Sequence, residues 1–167
     1  ALLCSRLCFY LGDMDKSVQF ALHAGDLFQV DLGGVDNQNQ NNGNNDFVNV
    51  ILAKAVDNYI AVKKAGDGDT VEPLLEALVE RLVKRCLDKG EYLQVIGIGL
   101  ECRRLDILEA VVKAPTLEDE RLSLVYYIVD VSVKMPVDFQ HQLLHFSVTI
   151  LKQCQSPDHV TIADCLV

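Results

Sequence analysis

The most suggestive chemistry in the sequence lies in Val95-Ile96-Gly97-Ile98-Gly99-Leu100-Glu101-Cys102. Gly-x-Gly after an apolar run is how a dinucleotide-binding turn opens, because glycines let backbone approach a pyrophosphate at a helix N-terminus. The third glycine is replaced by Cys102, and no second strand–helix–strand unit follows. Gly97 and Gly99 are therefore read as small positions on a helix against which another helix packs. His141 and His145 stand one helical turn apart, a spacing that can grip a metal from one face. No Glu accompanies them as in H-E-x-x-H, and Gln140 and Gln142 suggest a solvated face for His141, with His145 at the edge of a core.

Other reactive residues also fit structural roles. Cys4 and Cys8 share a helix face, but Leu7 and Phe9 point to packing, and Arg6 alone is thin support for a reactive thiolate. Asp67-Gly68-Asp69 opens like a calcium loop, yet Val71 and Glu72 stand where Asx and Gly are required. Glu118, Asp119 and Glu120 sit just before a helix, where its positive end favours acids. Arg103 and Arg104 fall at a helix–helix turn, placed to neutralise carbonyl ends, pair with acids on an adjacent repeat, or touch a partner. With no Ser/His/Asp constellation and no phosphate loop, no catalytic, cofactor-binding or metal residue is assigned. Arg103 and Arg104 remain as candidate partner contacts.

The elements that must position these residues are helices. Residues 46–64 carry an apolar stripe of Val48, Ile51, Leu52, Ala55, Val56, Tyr59 and Ile60, at the i, i+3, i+4, i+7 spacing of an amphipathic helix. Residues 71–88 repeat it with Leu74, Leu75, Leu78, Leu82 and Cys86, and Gly90 stands where such a helix stops. Residues 139–153 do so with Leu143, Phe146 and Ile150. Shorter helices fit 2–11, 15–24, 91–102 and 106–113. In 122–135 the alternation of Val129, Val131, Val133 and Met135 has strand spacing. A lone strand among helices would lack a ladder partner, so this segment too is expected to be helical, closed by Pro136. Pro115 or Thr116 is suited to opening it.

Gly12-Asp13 followed by Val18, Phe20, Ala21 and Leu22 aligns with Gly90-Glu91 followed by Ile96, Ile98, Gly99 and Leu100, and Pro157-Asp158 begins a fainter third copy. Turn–acid–helix units of this kind are the mark of stacked antiparallel αα-hairpins, so the expected fold is all-α and solenoid-like. The 167 residues are expected to form a single helical repeat piece of a larger protein, because both ends stop within apolar helical pattern. An Asn/Gln-rich, low-complexity tract at about 33–45 is expected to be a disordered surface insert.

Composition narrows the function. Half of the residues are apolar and 23% are charged, which excludes a wholly disordered chain. Fifteen Lys+Arg against 24 Asp+Glu leave a formal charge of −9, which repels phosphate backbones and anionic lipid heads, so neither nucleic acid nor membrane is an expected partner. No apolar run approaches the ~20 residues of a membrane-spanning helix. Six cysteines without a C-x-x-C pair read as reduced, buried thiols of a protein of the cytoplasm or nucleus. Composition and spacing thus support an interaction scaffold. An adaptor binding a peptide or helix in its groove, and a helical enzyme using residues 97–102 or the His141/His145 pair, are the alternatives.

The residues from Ser5-Arg6-Leu7-Cys8-Phe9-Tyr10-Leu11-Gly12-Asp13 through Ala21-Leu22-His23-Ala24-Gly25-Asp26-Leu27-Phe28 closely resemble the N-terminal region of the 26S proteasome non-ATPase regulatory subunit 1 family. So do Arg85-Cys86-Leu87-Asp88 and Ile96-Gly97-Ile98-Gly99-Leu100-Glu101-Cys102-Arg103-Arg104-Leu105-Asp106. The two stretches cover roughly a quarter of the chain. The Asn/Gln tract and a short loop at 65–70 depart from the family, both in loops where length changes cost little. The resemblance implies a helical rod ahead of ring-forming repeats, in a non-catalytic scaffold of the regulatory-particle base. Its implied partners are ATPase, lid and ubiquitin-handling subunits. It implies no site residues within these 167.

Overall fold

The computed structural model describes residues 1–28, 42–65, 71–154 and 159–165. All regular structure among them is helical, and the chain divides into two compact units, Ala1–Lys89 and Gly90–Val167. The expected all-α helical repeat is the fold observed.

The first unit contains α1 (Leu2–Tyr10), α2 (Met14–Ala24), α3 (Asn42–Ala65) and α4 (Pro73–Asp88), with a 3-10 turn over Gly25–Leu27 after α2. Helices α1 and α2 form a hairpin. The chain leaves α1 through Gly12 at φ 80°, where Asp13 N–H donates to the Cys8 carbonyl (2.9 Å) and Gly12 N–H to that of Phe9 (3.1 Å). This paired bonding satisfies the last carbonyls of α1, and the left-handed residue at its centre favours glycine. Asp13 then caps α2, its carboxylate accepting from Lys16 N–H at 3.2 Å. Helix α2 packs on both α3 and α4. Val18, Ala21, Phe47, Val48, Ile51, Ala55, Tyr59, Leu78 and Val79 are buried, and Phe9, Phe28 and Phe47 meet edge-to-face.

The second unit contains α5 (Tyr92–Glu101), α6 (Leu105–Lys113), α7 (Glu118–Ser132), α8 (Val137–Gln153) and α9 (His159–Asp164). Helices α5 and α6 pack as one hairpin and α7 and α8 as a second, joined by contacts of α7 with α5 and α6. Val95, Ile96, Leu108, Val111, Val125, Ile128, Leu143 and Leu151 are fully buried.

The strand-like spacing in 122–135 is overridden. Leu124, Val125, Ile128 and Ser132 of α7 are buried at helical intervals, while of the residues that made the alternation Val129 and Val131 are half-buried within the helix and Val133 and Met135 lie beyond its end. Neither Pro115 nor Thr116 opens α7. Its N-cap is Leu117, which has no capping side chain, and the three acids Glu118, Asp119 and Glu120 occupy the first turn instead. Helix α3 starts at Asn42, ahead of the expected position 46, and the rest of the Asn/Gln tract lies outside the described residues. So does the loop that includes Asp67-Gly68-Asp69.

The thiols are not uniformly buried. Cys86, Cys102 and Cys165 are, Cys8 and Cys154 are half-buried, and Cys4 is exposed.

Candidate interaction surface

The turn between α5 and α6 places the two arginines. Arg104 N–H donates to the Gly99 carbonyl (2.8 Å) and Arg103 N–H to that of Leu100 (3.2 Å), the same paired bonding that closes α1. Arg103 thus occupies the left-handed position, at φ 54°, that Gly12 holds in the first hairpin. It is the one non-glycine residue with positive φ among the described residues. A side chain there costs about 1 kcal/mol in backbone strain. Its guanidinium is exposed and makes no hydrogen bond or ion pair among the described residues.

Arg104 behaves differently. Its Nε donates to both carboxylate oxygens of Asp106 (3.1 and 3.2 Å), and Nη2 also bonds Oδ2. These bonds hold the Asp106 carboxyl below its usual range, with the amides of Asp106 and Ile107 adding to the effect and partial burial opposing it. The anticipated acid on a neighbouring repeat is therefore an acid two residues along, in the first turn of the next helix. The Arg-x-Asp spacing at a helix start was the available signal. The structure leaves Arg103 free for a partner and assigns Arg104 to the hairpin itself.

Gly97 and Gly99 both lie inside α5, so the Gly-x-Gly run is continuous helix and not a strand-to-helix turn. The expectation of close packing holds for one of the two. A Cβ on Gly99 would sit 2.9 Å from Leu108 Cδ2 and 3.1 Å from its Cγ, whereas one on Gly97 would meet nothing within 4 Å.

His141 and His145 lie on α8, both exposed, so His145 is not at a core edge as expected. They line a groove of about 670 Å³ between α8 and α6, with Phe146 and Ile150 beside them and Leu105, Glu109 and Lys113 opposite. Glu109 and Lys113 pair with each other across one helical turn. No group of three or more His, Cys, Asp or Glu side chains is arranged to hold a metal ion among the described residues. Sequence reasoning missed this groove because it joins two helices some thirty positions apart, a pairing that periodicity within each helix does not reveal.

Burial pushes the Cys154 thiol above its ordinary range, the nearby Glu118 adds to the effect, and its Sγ donates to the Ile150 carbonyl at 3.4 Å. No helix of the described residues is long and apolar enough to cross a membrane. What the surface offers is an exposed arginine without a side-chain partner among the described residues and a groove of mixed polar and apolar lining, features suited to protein contact.

Comparison with known proteins places this architecture. Residues 1–167, the entire chain, match the family model for the 26S proteasome subunit RPN2, N-terminal domain. The chain belongs to that family. It is 34% identical over 174 residues to the 26S proteasome non-ATPase regulatory subunit 1 homolog A of Arabidopsis thaliana, an alignment that takes in 100% of this chain and 16% of that relative. It is 31% identical over 173 residues to the 26S proteasome non-ATPase regulatory subunit 1 of Drosophila melanogaster, covering 99% of this chain and 16% of the relative. With the 26S proteasome regulatory subunit RPN2 of Saccharomyces cerevisiae the identity is 26% over 180 residues, covering 100% and 18%. The chain therefore spans about one sixth of the length of these curated relatives, which are named as regulatory subunits. The family resemblance read from residues 5–28 and 85–106 extends over the whole chain.

Proposed function

We propose that this chain is part of a non-catalytic scaffold in the base of the proteasome regulatory particle. In that role it helps position ATPase, lid and ubiquitin-handling subunits for ubiquitin-dependent protein degradation in the cytoplasm and nucleus. The match of all 167 residues to the RPN2 N-terminal family is the observation that carries this reading. The physical basis is geometric. Helix pairs closed by tight, doubly bonded turns present fixed surfaces, and their stability comes from buried seams that leave outer faces available for partners.

Arg103 is the residue proposed to touch a partner, through a carboxylate on the neighbouring subunit. Its backbone strain is retained although glycine would relieve it, and its charge is not consumed within the hairpin. The test is affinity purification of the complete protein from its own cells. Proteasomal ATPases should be recovered with it, and Arg103→Glu should reduce their recovery without altering the helical signal. Recovery of the folded protein free of proteasome subunits would refute the scaffold role, and wild-type recovery by the Arg103→Glu protein would refute the contact.

A further inference from the structure

One hydroxyl stands apart from the others. Among the described residues Ser5, Ser17, Ser132 and Ser147 are fully buried. Thr149 lies within α8 and bonds back to the His145 carbonyl, while Ser123 and Thr161 lie within α7 and α9. Thr116 alone is both exposed and outside any helix, in the turn that leads from α6 into α7. Its hydroxyl is therefore the one such nucleophile that an enzyme can approach without first dismantling a packed helix.

The residues that follow it say which enzyme. Thr116 is succeeded by Leu117 and then by Glu118, Asp119 and Glu120, which place carboxylates two, three and four positions beyond the hydroxyl, the last two of them exposed. Acid-directed protein kinases choose their substrates by such downstream carboxylates, which pair with arginine and lysine side chains in the kinase cleft. Lys113, three positions before Thr116, would suit a kinase that reads upstream cations, but it is already paired with Glu109. Thr161 also has an acid three positions on, Asp164, but is half-buried inside α9, which makes it an internal control.

The backbone is suited to the same use. A kinase cleft takes its substrate extended, and Leu117 is already so, with φ −88° and ψ 133°. Helix α7 has no capping side chain, so opening its first turn gives up little beyond the bond from Arg121 N–H to the Leu117 carbonyl (3.2 Å). A cation also waits at the turn. Arg121 Nη2 donates to the carbonyl of Pro115, the residue before Thr116, at 3.4 Å, and its Nε is buried without a hydrogen-bond partner. A guanidinium with an unused donor is complementary to a phosphate on the next residue.

We propose that Thr116 is a phosphorylation site for an acid-directed serine/threonine kinase that uses ATP. Thr116 Oγ attacks the γ-phosphorus, the new O–P bond forms as the bond to the β-phosphate oxygen breaks, ADP leaves, and the hydroxyl proton passes to the catalytic base of the kinase. The experiment uses the complete protein isolated from its own cells with phosphatases inhibited. Trypsin cleaves after Lys113 and Arg121, and the peptide 114–121 holds Thr116 as its only hydroxyl, so mass spectrometry assigns the site directly. That peptide should carry one phosphate, and Thr116→Ala should abolish it. Asp119→Asn combined with Glu120→Gln should lower its phosphorylation about tenfold, with the helical signal unchanged. The purified protein, folded and supplied with ATP and an acid-directed kinase, should be labelled at Thr116 and not at Thr161. An unmodified peptide from the cells would overturn the proposal, even where the purified kinase labels it. So would equal phosphorylation of the doubly substituted protein, which would mean that the acids are not what is read, or labelling of Thr116 only after unfolding, which would mean that the turn is closed to the enzyme.

Discussion

The hairpin of α1 and α2 and the hairpin of α5 and α6 close with the same turn and are held together by opposite chemistry. Both turns use the same pair of backbone bonds around a residue with positive φ. In the first, the helices meet through two fully buried serines. Ser5 Oγ donates to the Ser17 carbonyl and Ser17 Oγ to the Ser5 carbonyl, both at 2.7 Å. In the second, the helices meet where Gly99 lacks a side chain and Leu108 fills the space. Close approach of two helices requires small residues. Whether they are polar or bare decides what a mutation there destroys: a reciprocal hydrogen-bond pair, or a volume match.

The largest test of this difference is Gly99→Val. Leu108 is fully buried and cannot retreat, so added methyl groups must displace the α5–α6 contact, at a cost of about 2–3 kcal/mol. The urea midpoint should fall accordingly. Gly97→Ala, two residues away on the same helix with open space around it, should raise stability by about 0.5–1 kcal/mol through helix propensity alone. Equal effects at the two glycines would show that the close approach is not what holds this hairpin.

The serine pair is the next in size. Ser17→Ala removes a buried hydroxyl with a good acceptor, and should cost about 1–2 kcal/mol in chemical denaturation. Ser147 on α8 is the counterexample: equally buried, its hydroxyl has no partner among the described residues. Ser147→Ala should be neutral or stabilising by up to about 1 kcal/mol, since an unsatisfied group is removed. If both substitutions destabilise alike, the reciprocal bonds contribute nothing beyond packing.

These contacts also show where sequence stops being informative. The helices were legible because Ile51, Leu78, Leu143 and their neighbours recur at a period that only a helix can bury, and Gly12 and Gly90 marked helix ends by their backbone freedom. The equivalence of the turns was legible only in part. Gly12 aligns with Gly90 in sequence, and both indeed have positive φ and precede an acidic N-cap, but the residue that matches Gly12 within a hairpin is Arg103. An arginine carries no mark of left-handed backbone, so its place becomes visible only in three dimensions. The α6–α8 groove, the outward Cys4 and the half-exposed ring of Tyr127 depend likewise on which helix lies beside which.

Exchanging the two turn residues probes that equivalence with a smaller effect. Gly12→Arg should cost about 1 kcal/mol, because a Cβ is forced into left-handed backbone, and Arg103→Gly should gain about 0.5–1 kcal/mol by relieving the same strain. Nothing lies within 4 Å of a Cβ at Gly12, so the penalty isolates backbone strain from packing. Opposite signs in thermal unfolding are expected. Matching signs would mean that the hairpins do not share one turn.

The smallest effect concerns how each second helix begins. Helix α2 is capped by Asp13 from outside, whereas α6 begins at Arg104 without a capping side chain and relies on Asp106 within its first turn. Because Arg104 and the first-turn amides depress the Asp106 pKa in the folded state, the unfolded chain takes up a proton there first as pH falls. The contribution is thus fully present above the ordinary carboxylate range and is lost as pH falls through the depressed value. The Asp106 carboxylate is 62% exposed, so solvent screening limits the loss to about 0.5 kcal/mol. Asp106→Asn should flatten the pH dependence of stability between roughly pH 5 and pH 2 by that small amount. Arg104→Gln should do the same, and the double substitution should add almost nothing further, since either change alone already breaks the pair.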